Sequence, residues 1–185
     1  MKKYFSTALV LTLIAAICAA LIASVNLLTS SIIEKNNLAK IEALNKEIFA
    51  EYDGEKSQTY TEGFTSEYIS QKVEVCNSNG DFLGYIYTVG GSNSYGEIVL
   101  LVGITEDLKL KATKFVTNGQ SFSSEAETHL NTQYNPDMTI EDILDMDLSN
   151  SDVTAGATYA AKLIRSLVSA AFDDAKGGAS NGTRS

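Results

Sequence analysis

The sequence predicts an α+β protein, with a single N-terminal transmembrane helix followed by an antiparallel sheet that helices flank. Three observations lead to this prediction. An uncharged apolar stretch lies near the N-terminus, segments with alternating side chains fill the middle of the chain, and an apolar stripe at helical spacing occupies the last third. The predicted organisation is a membrane anchor over residues 1–29, a juxtamembrane amphipathic helix over 30–54, a folded domain over 55–176 and a disordered tail over 177–185.

The composition excludes several classes of protein. The 185 residues are 44% hydrophobic, and 14 Lys+Arg against 23 Asp+Glu give a formal net charge of −9. Such a chain can bury a core, so it is not a disordered acidic tail. Because it has no excess of basic residues to neutralise phosphates, we expect no nucleic-acid partner. Cys18 and Cys76 are too few for a zinc site or an iron–sulfur cluster by themselves, and we expect no metal.

The N-terminal anchor is predicted from an uncharged stretch, Ala8–Leu28, that follows Lys2 and Lys3. At about 1.5 Å per residue this helix spans roughly 31 Å, the thickness of the hydrocarbon core of a bilayer. Basic residues favour the cytoplasmic side, so we expect a single-pass protein of the cell membrane with its C-terminal domain on the outer, extracellular or periplasmic face. A cleaved secretory signal is the alternative, with Ala23–Val25 as its cleavage site.

The juxtamembrane helix is predicted from apolar residues that recur mostly at three- and four-residue steps between Ile33 and Ile48, with charged residues between them. The sequence leaves open whether this helix continues the membrane helix or breaks at Thr29–Ser31. Its apolar stripe should dock on the domain or on a partner. Asp53-Gly54 ends the helix, and the polar stretch to Ser66 is predicted as a loop.

A four-stranded antiparallel meander is predicted in the middle of the chain. Its strands are Gln71–Cys76, Phe82–Val89, Ile98–Ile104 and Leu108–Val116. Asn79-Gly80 accommodates the positive φ angles of a hairpin turn between the first two strands. Gly90–Gly96 is predicted as a flexible loop. The continuous apolar run of the third strand is typical of a central strand that is buried on both faces.

Helices are predicted after the sheet. Ser123–Tyr134 has helical character, and Thr139 followed by Asp142 resembles the capping box of a short second helix. The single His129 has no Cys or second His near it, so we expect it on the surface or partly packed. The acidic residues after Thr139 are interpreted as a solvated helix face. The last helix carries an apolar stripe of Leu163, Ile164, Leu167, Val168, Ala171 and Phe172.

The start of the last helix is the candidate binding site. Asp152–Thr158 reads Asp-Val-Thr-Ala-Gly-Ala-Thr. Small residues let another group approach the backbone closely, and the free N–H groups and positive dipole end of a helix favour an anion such as a phosphate. Thr158 offers a hydroxyl in the first turn. From the residues alone, the alternative is that Asp152 or Thr154 merely caps the helix and that Gly156 permits the bend.

This motif resembles the flavinylation motif of the FMN-binding domain family, which occurs in the G subunit of the Rnf complex and the C subunit of the sodium-pumping NADH:quinone reductase. The resemblance rests on Asp152-x-x-x-Gly156-Ala157-Thr158, on Val25–Thr29 at the end of the membrane helix, and on Gly96 before a central strand. Ala155 stands where the family usually has Ser or Thr. Thr117–Phe122 stands where it usually has a Glu-Thr-Pro-Gly-Leu-Gly-like loop.

The resemblance implies that FMN is joined to Thr158 by a phosphoester that a flavin transferase installs. The other residues implied in binding FMN are Thr154, Ala155, Gly156 and Ala157. Residues 55–176 would then be an FMN-binding domain that carries electrons without catalytic residues of its own. Four aromatic residues are candidates for stacking on the flavin ring, and none is singled out: Tyr85, Tyr87, Tyr95 and Phe122.

The resemblance also implies membership of an Rnf-type ion-translocating electron transport complex, with other membrane subunits and the lipid bilayer as partners. Whether the chain is an enzyme by itself stays open, because it would be one link in a redox-driven ion translocase. Two alternatives remain. One is a free-standing extracellular electron-transfer flavoprotein, and the other is a non-redox, membrane-anchored binding or structural protein.

Overall fold

The computed structural model describes residues 2–148 and 155–181 and divides the chain into two compact units. The first unit reaches Ile41 and consists of the greater part of helix α1, Lys2–Ile48. This helix is continuous through Thr29–Ser31, where the sequence left a break open. Over the described residues, no helix combines the length and the apolar character that crossing a membrane requires, and the predicted transmembrane helix is not confirmed.

The second unit, from Glu42 onward, contains a five-stranded sheet. Its strands are β1 (Gln58–Tyr60), β2 (Ile69–Cys76), β3 (Phe82–Asn93), β4 (Gly96–Thr105) and β5 (Leu110–Asn118). They lie side by side in chain order, and each strand is antiparallel to its neighbours. The predicted meander is thereby confirmed. It gains an edge strand, β1, inside the stretch that the sequence predicted as a loop.

The prediction of a flexible loop at Gly90–Gly96 is wrong. Strand β3 continues to Asn93, β4 begins at Gly96, and these two residues pair with each other. The glycines here serve close packing. A Cβ at Gly91 would lie 3.0 Å from the Leu163 side chain on the helix that covers this face. Two strands thus meet in a tight two-residue turn, and the turn is held near the start of the last helix.

Two other turns depend on positive φ angles. Gly80 has a φ of +88° in the turn after β2, as the Asn-Gly pair predicts. Leu108 has a φ of +56°, and its backbone N–H donates to the Thr105 carbonyl at 3.0 Å. Leu108 therefore lies in the turn before β5, which is why that strand begins at Leu110, two residues later than predicted.

Three helices pack on one face of the sheet: α2 (Ser123–Gln133), α3 (Ile140–Leu144) and α4 (Ala155–Asn181). The capping box of α3 is confirmed, since the Thr139 hydroxyl accepts from the Asp142 N–H and the Asp142 carboxylate accepts from the Thr139 N–H. The α4 stripe is confirmed as well. Leu163 is half-buried and the other predicted members are fully buried: Ile164, Leu167, Val168, Ala171 and Phe172.

The end of the chain differs from its prediction as a disordered tail. Helix α4 continues through Gly177 as far as Asn181. Residues 182–185 lie outside the described residues, so the prediction for them stands untested.

The last turn of α1 covers the opposite face of the sheet. Ile48 and the following Phe49 are buried against Val73, Val75, Ile86 and Leu101. Gly103 on β4 makes room for this contact, because a Cβ there would collide with the Ile48 side chain. The predicted docking of the amphipathic stripe on the domain is confirmed for this turn of the helix.

Candidate functional site

The candidate attachment turn lies at the beginning of α4. Ala155, Gly156 and Ala157 are its first residues and Thr158 is the fourth, with a half-buried side chain. Thr154 and Asp152 lie outside the described residues. The first N–H groups of an α-helix have no partner within the helix, and its N-terminus carries a partial positive charge. The Thr158 hydroxyl therefore lies within a turn that suits an anion.

Three aromatic side chains meet beside this turn, and we call them the aromatic cluster: Tyr95, Phe122 and Tyr159. The ring centroids of Tyr95 and Tyr159 are 5.5 Å apart, and those of Tyr95 and Phe122 are 5.9 Å apart. Tyr159 directly follows Thr158 and is 55% exposed. Sequence reasoning named Tyr95 and Phe122 but missed Tyr159, although its place next to the candidate attachment residue was a usable signal.

The aromatic cluster is assembled from three separate segments, and hydrogen bonds hold two of them together. Tyr95 lies in the turn between β3 and β4, and its carbonyl accepts from the Ser121 N–H at 2.9 Å. The Gly119 N–H donates to the Glu97 carbonyl at 2.8 Å. Gly96 has a φ of +138°, and a Cβ there would collide with the Gly119 carbonyl oxygen. The segment before α2 is thus fastened to the hairpin that carries Tyr95.

Two buried side-chain atoms in these same segments have no hydrogen-bond partner within the described part of the chain, Gln120 Oε1 and Asn93 Nδ2. Gln120 is only 5% exposed, and its Nε2 donates to the Gly96 carbonyl at 2.6 Å. A buried polar atom without a partner costs about 1–3 kcal/mol. One acceptor and one donor in the segments that carry the aromatic cluster therefore have no partner among the described residues.

A positive charge is also available at this end of the helix. Lys162 follows Thr158 by four residues, so the two side chains share a helix face. Its Nζ lies 5.9 Å from the centroid of the Tyr159 ring. An anion joined to Thr158 would therefore have an ammonium group close to it.

The other two aromatic candidates lie elsewhere: Tyr87 contacts Asp174, and the Tyr85 ring centroid lies 4.5 Å from Lys72 Nζ. The Tyr87 hydroxyl donates to Asp174 Oδ2 at 3.1 Å, and Lys72 Nζ lies 3.6 Å from the same oxygen. The Thr65 N–H and hydroxyl donate to Oδ1 at 3.0 and 3.2 Å. Burial and the Asp174 charge raise the pKa of Tyr87 far above its usual range. This cluster fastens the second half of α4, and the structure does not place it with the attachment turn.

His129 is buried, whereas the sequence predicted a surface or partly packed side chain. It is 5% exposed, and burial lowers its pKa below the usual value. Its ring packs edge-on against Tyr134 at a centroid distance of 5.8 Å. In the part of the chain that the structure describes, no three His, Cys, Asp or Glu side chains are grouped to hold a metal ion. The acidic α3 face is exposed as predicted, with Glu141 paired to Lys176 at 3.3 Å.

The fold and the site define a small α+β domain with an aromatic cluster beside an anion-compatible turn at the start of its last helix. Residues 1–48 match the family model described as the RnfG N-terminal region. This match supports an RnfG-like family. It ends at the last residue of α1, so the sheet and the Thr158 turn lie outside it. A search among curated proteins finds no significant match.

Proposed function

We propose that this chain is a membrane-anchored, RnfG-like flavoprotein subunit that carries electrons through FMN joined by a phosphoester to Thr158. The observation that carries the proposal is the meeting of an anion-compatible helix turn, a half-buried threonine hydroxyl and an aromatic cluster at one place. The match of residues 1–48 to the RnfG N-terminal region supports the same family and an Rnf-type ion-translocating complex as the setting.

The residues at the start of α4 fit the phosphate end of FMN. Thr158 supplies the ester oxygen. Ala155, Gly156 and Ala157 begin the helix, where free N–H groups and the helix dipole stabilise the remaining negative charge. Thr154, which lies outside the described residues, is proposed as a further FMN-binding residue. The Lys162 ammonium group, close to Tyr159, adds to this stabilisation. These residues bind and orient the group, and they need no general base after the ester has formed.

FMN supplies the electron chemistry when it is bound. The contribution of the protein is to hold the ring at the domain surface and to offer it hydrogen-bonding groups, for which Gln120 Oε1 and Asn93 Nδ2, without a partner among the described residues, are candidates. A dedicated flavin transferase would install the group. The domain would therefore need no catalytic residues for substrate chemistry, and other membrane subunits would deliver and remove the electrons.

The membrane anchor is part of this proposal. The large apolar side chains between residues 9 and 22 are exposed, which supports contact with lipid. Lys2 and Lys3 favour a cytoplasmic N-terminus and a domain on the outer face. One span without an internal charge gives an ion no polar path, so other subunits would translocate the ion.

The attachment is tested with three variants produced in a host that possesses the flavin transferase. After denaturing electrophoresis, in-gel flavin fluorescence should be present in Thr158→Ser and Thr154→Ala and absent in Thr158→Ala, because only Thr158 and its serine replacement offer the ester oxygen. Fluorescence that persists in Thr158→Ala would contradict the assignment. Co-purification with polytopic membrane subunits would distinguish a complex subunit from a free-standing flavoprotein.

A further inference from the structure

We propose that the aromatic cluster of Tyr95, Phe122 and Tyr159 is the stacking platform for the isoalloxazine ring, with Tyr159 as its outer member. This inference rests on the proposed attachment of FMN at Thr158. It names the side chains that contact the ring, and these come from three segments that no single motif contains.

Tyr159 lies next to the proposed attachment residue. Thr158 and Tyr159 are neighbours in the first part of α4, and the ribityl chain of FMN links the phosphate to the ring. A ring tethered at Thr158 is therefore confined to the neighbourhood of Tyr159. The Tyr159 ring in turn contacts Tyr95 at a centroid distance of 5.5 Å, which extends the aromatic surface away from the helix.

The Tyr159 ring is exposed beside buried residues of α4. Tyr159 is 55% exposed, while the next two residues of α4, Ala160 and Ala161, are fully buried. A single exposed aromatic side chain needs no explanation. Here, however, the exposed ring joins two others, and the neighbouring Gln120 is 5% exposed, with an Oε1 that has no partner within the described part of the chain. A flat ligand with a ring N–H group would cover the exposed Tyr159 ring and donate a hydrogen bond to Gln120 Oε1.

Hydrogen bonds hold the backbone around Tyr95 in place. The Ser121 N–H donates to the Tyr95 carbonyl at 2.9 Å, and the Ser121 hydroxyl donates to the same oxygen at 3.2 Å. The Asn93 side chain accepts from the Tyr95 N–H at 2.8 Å. The backbone on both sides of the platform is held before any ligand arrives, so little conformational freedom is lost on stacking.

Stacking on tyrosine has an optical consequence that stacking on phenylalanine lacks. A phenol in contact with an excited flavin gives it an electron and then takes the electron back, so emission is quenched and nothing is consumed. The platform contains two phenols, Tyr95 and Tyr159. The wild-type flavoprotein should therefore be weakly fluorescent when folded, and its emission should rise severalfold in denaturant while FMN stays attached.

The test uses the full flavinylated chain and compares two double variants. Tyr95→Phe/Tyr159→Phe removes both phenols and keeps the rings. Tyr52→Phe/Tyr134→Phe removes two phenols elsewhere, one near the opposite face of the sheet and one beside His129. We expect the first variant to emit severalfold more than wild type in the folded state and the second to match wild type, with far-UV circular dichroism unchanged in both.

The two possible failures are distinguishable by mass. If FMN is attached to Thr158 and the folded Tyr95→Phe/Tyr159→Phe protein emits no more than wild type, the platform is wrong and the attachment stands. If wild-type protein from a host with the transferase carries no FMN on Thr158, the attachment itself fails, and the platform fails with it.

Discussion

The hydroxyl of Tyr87 donates a hydrogen bond of 3.1 Å to the carboxylate of Asp174, and this bond joins the second half of α4 to the central strand of the sheet. Both side chains are buried, with 0% and 6% of their surface exposed. Because α4 is one helix from Ala155 to Asn181, an anchor at Asp174 also restrains the direction of the end that carries Thr158.

Asp174→Ala should lower the free energy of unfolding by about 3 kcal/mol, because it leaves the Tyr87 hydroxyl and the Lys72 ammonium group without their buried partner. The neighbouring Asp173 is exposed, so Asp173→Ala should change stability by less than about 0.5 kcal/mol. Urea unfolding monitored by circular dichroism measures both. Equal losses in the two variants would show that Asp174 contributes nothing specific.

Tyr87 predicts a loss of stability at alkaline pH. The folded state holds its pKa far above the usual value of 10.0, so the unfolded chain loses its proton first as pH rises. The contribution of Tyr87 to the free energy of unfolding is therefore complete below pH 10. Above pH 10 it should fall, with a slope that approaches about 1.4 kcal/mol per pH unit. Tyr87→Phe should remove this part of the slope. An unfolding free energy that declines equally in both proteins would contradict the assignment.

His129 should make the free energy of unfolding fall at acid pH. Burial holds its folded pKa below the usual value of 6.5, so the unfolded chain binds the proton first as pH falls. The stabilising contribution is complete above pH 6.5 and is lost at lower pH, at up to about 1.4 kcal/mol per pH unit. His129→Phe keeps a ring against Tyr134 and should flatten the profile between pH 7 and 5. A profile as steep as that of wild type would rule His129 out as the cause.

Gly103→Ala should destabilise the domain by about 1–3 kcal/mol, because the new Cβ occupies the space of the Ile48 side chain. The reason is steric, so Ile48→Ala should relieve it. In a double-mutant cycle, the loss in Gly103→Ala/Ile48→Ala should be smaller than the sum of the two single losses. Additive losses would mean that the two residues do not compete for the same space.

The features that the sequence predicted correctly are local. The α3 capping box depends on two residues three positions apart, the α4 stripe on a helical period, and the turn at Gly80 on an Asn-Gly pair. Neighbouring strands joined by short turns likewise follow from alternation along the chain. Such patterns arise from interactions between residues that are close in the sequence, so they can be recognised before the fold is known.

The features that it missed depend on contacts between distant segments. Gly90 and Gly91 indicated a loop because the contact of Gly91 with the Leu163 side chain of α4 could not be foreseen. Asp174 gives no sign of its four partner groups on β2, β3 and the segment before β2. The same holds at the candidate site, where the motif names Thr158 but the ring contacts with Tyr95 require the complete topology.

The attachment of FMN to Thr158 is tested by intact mass with peptide mapping on wild-type protein purified from membranes of its native host. We expect the peptide containing Thr158 to carry the mass of FMN less one water, with the site of addition at the Thr158 hydroxyl. An unmodified Thr158 in cells that possess the flavin transferase would rule out the attachment, and the turn would then be a helix cap in an anchored binding or structural domain.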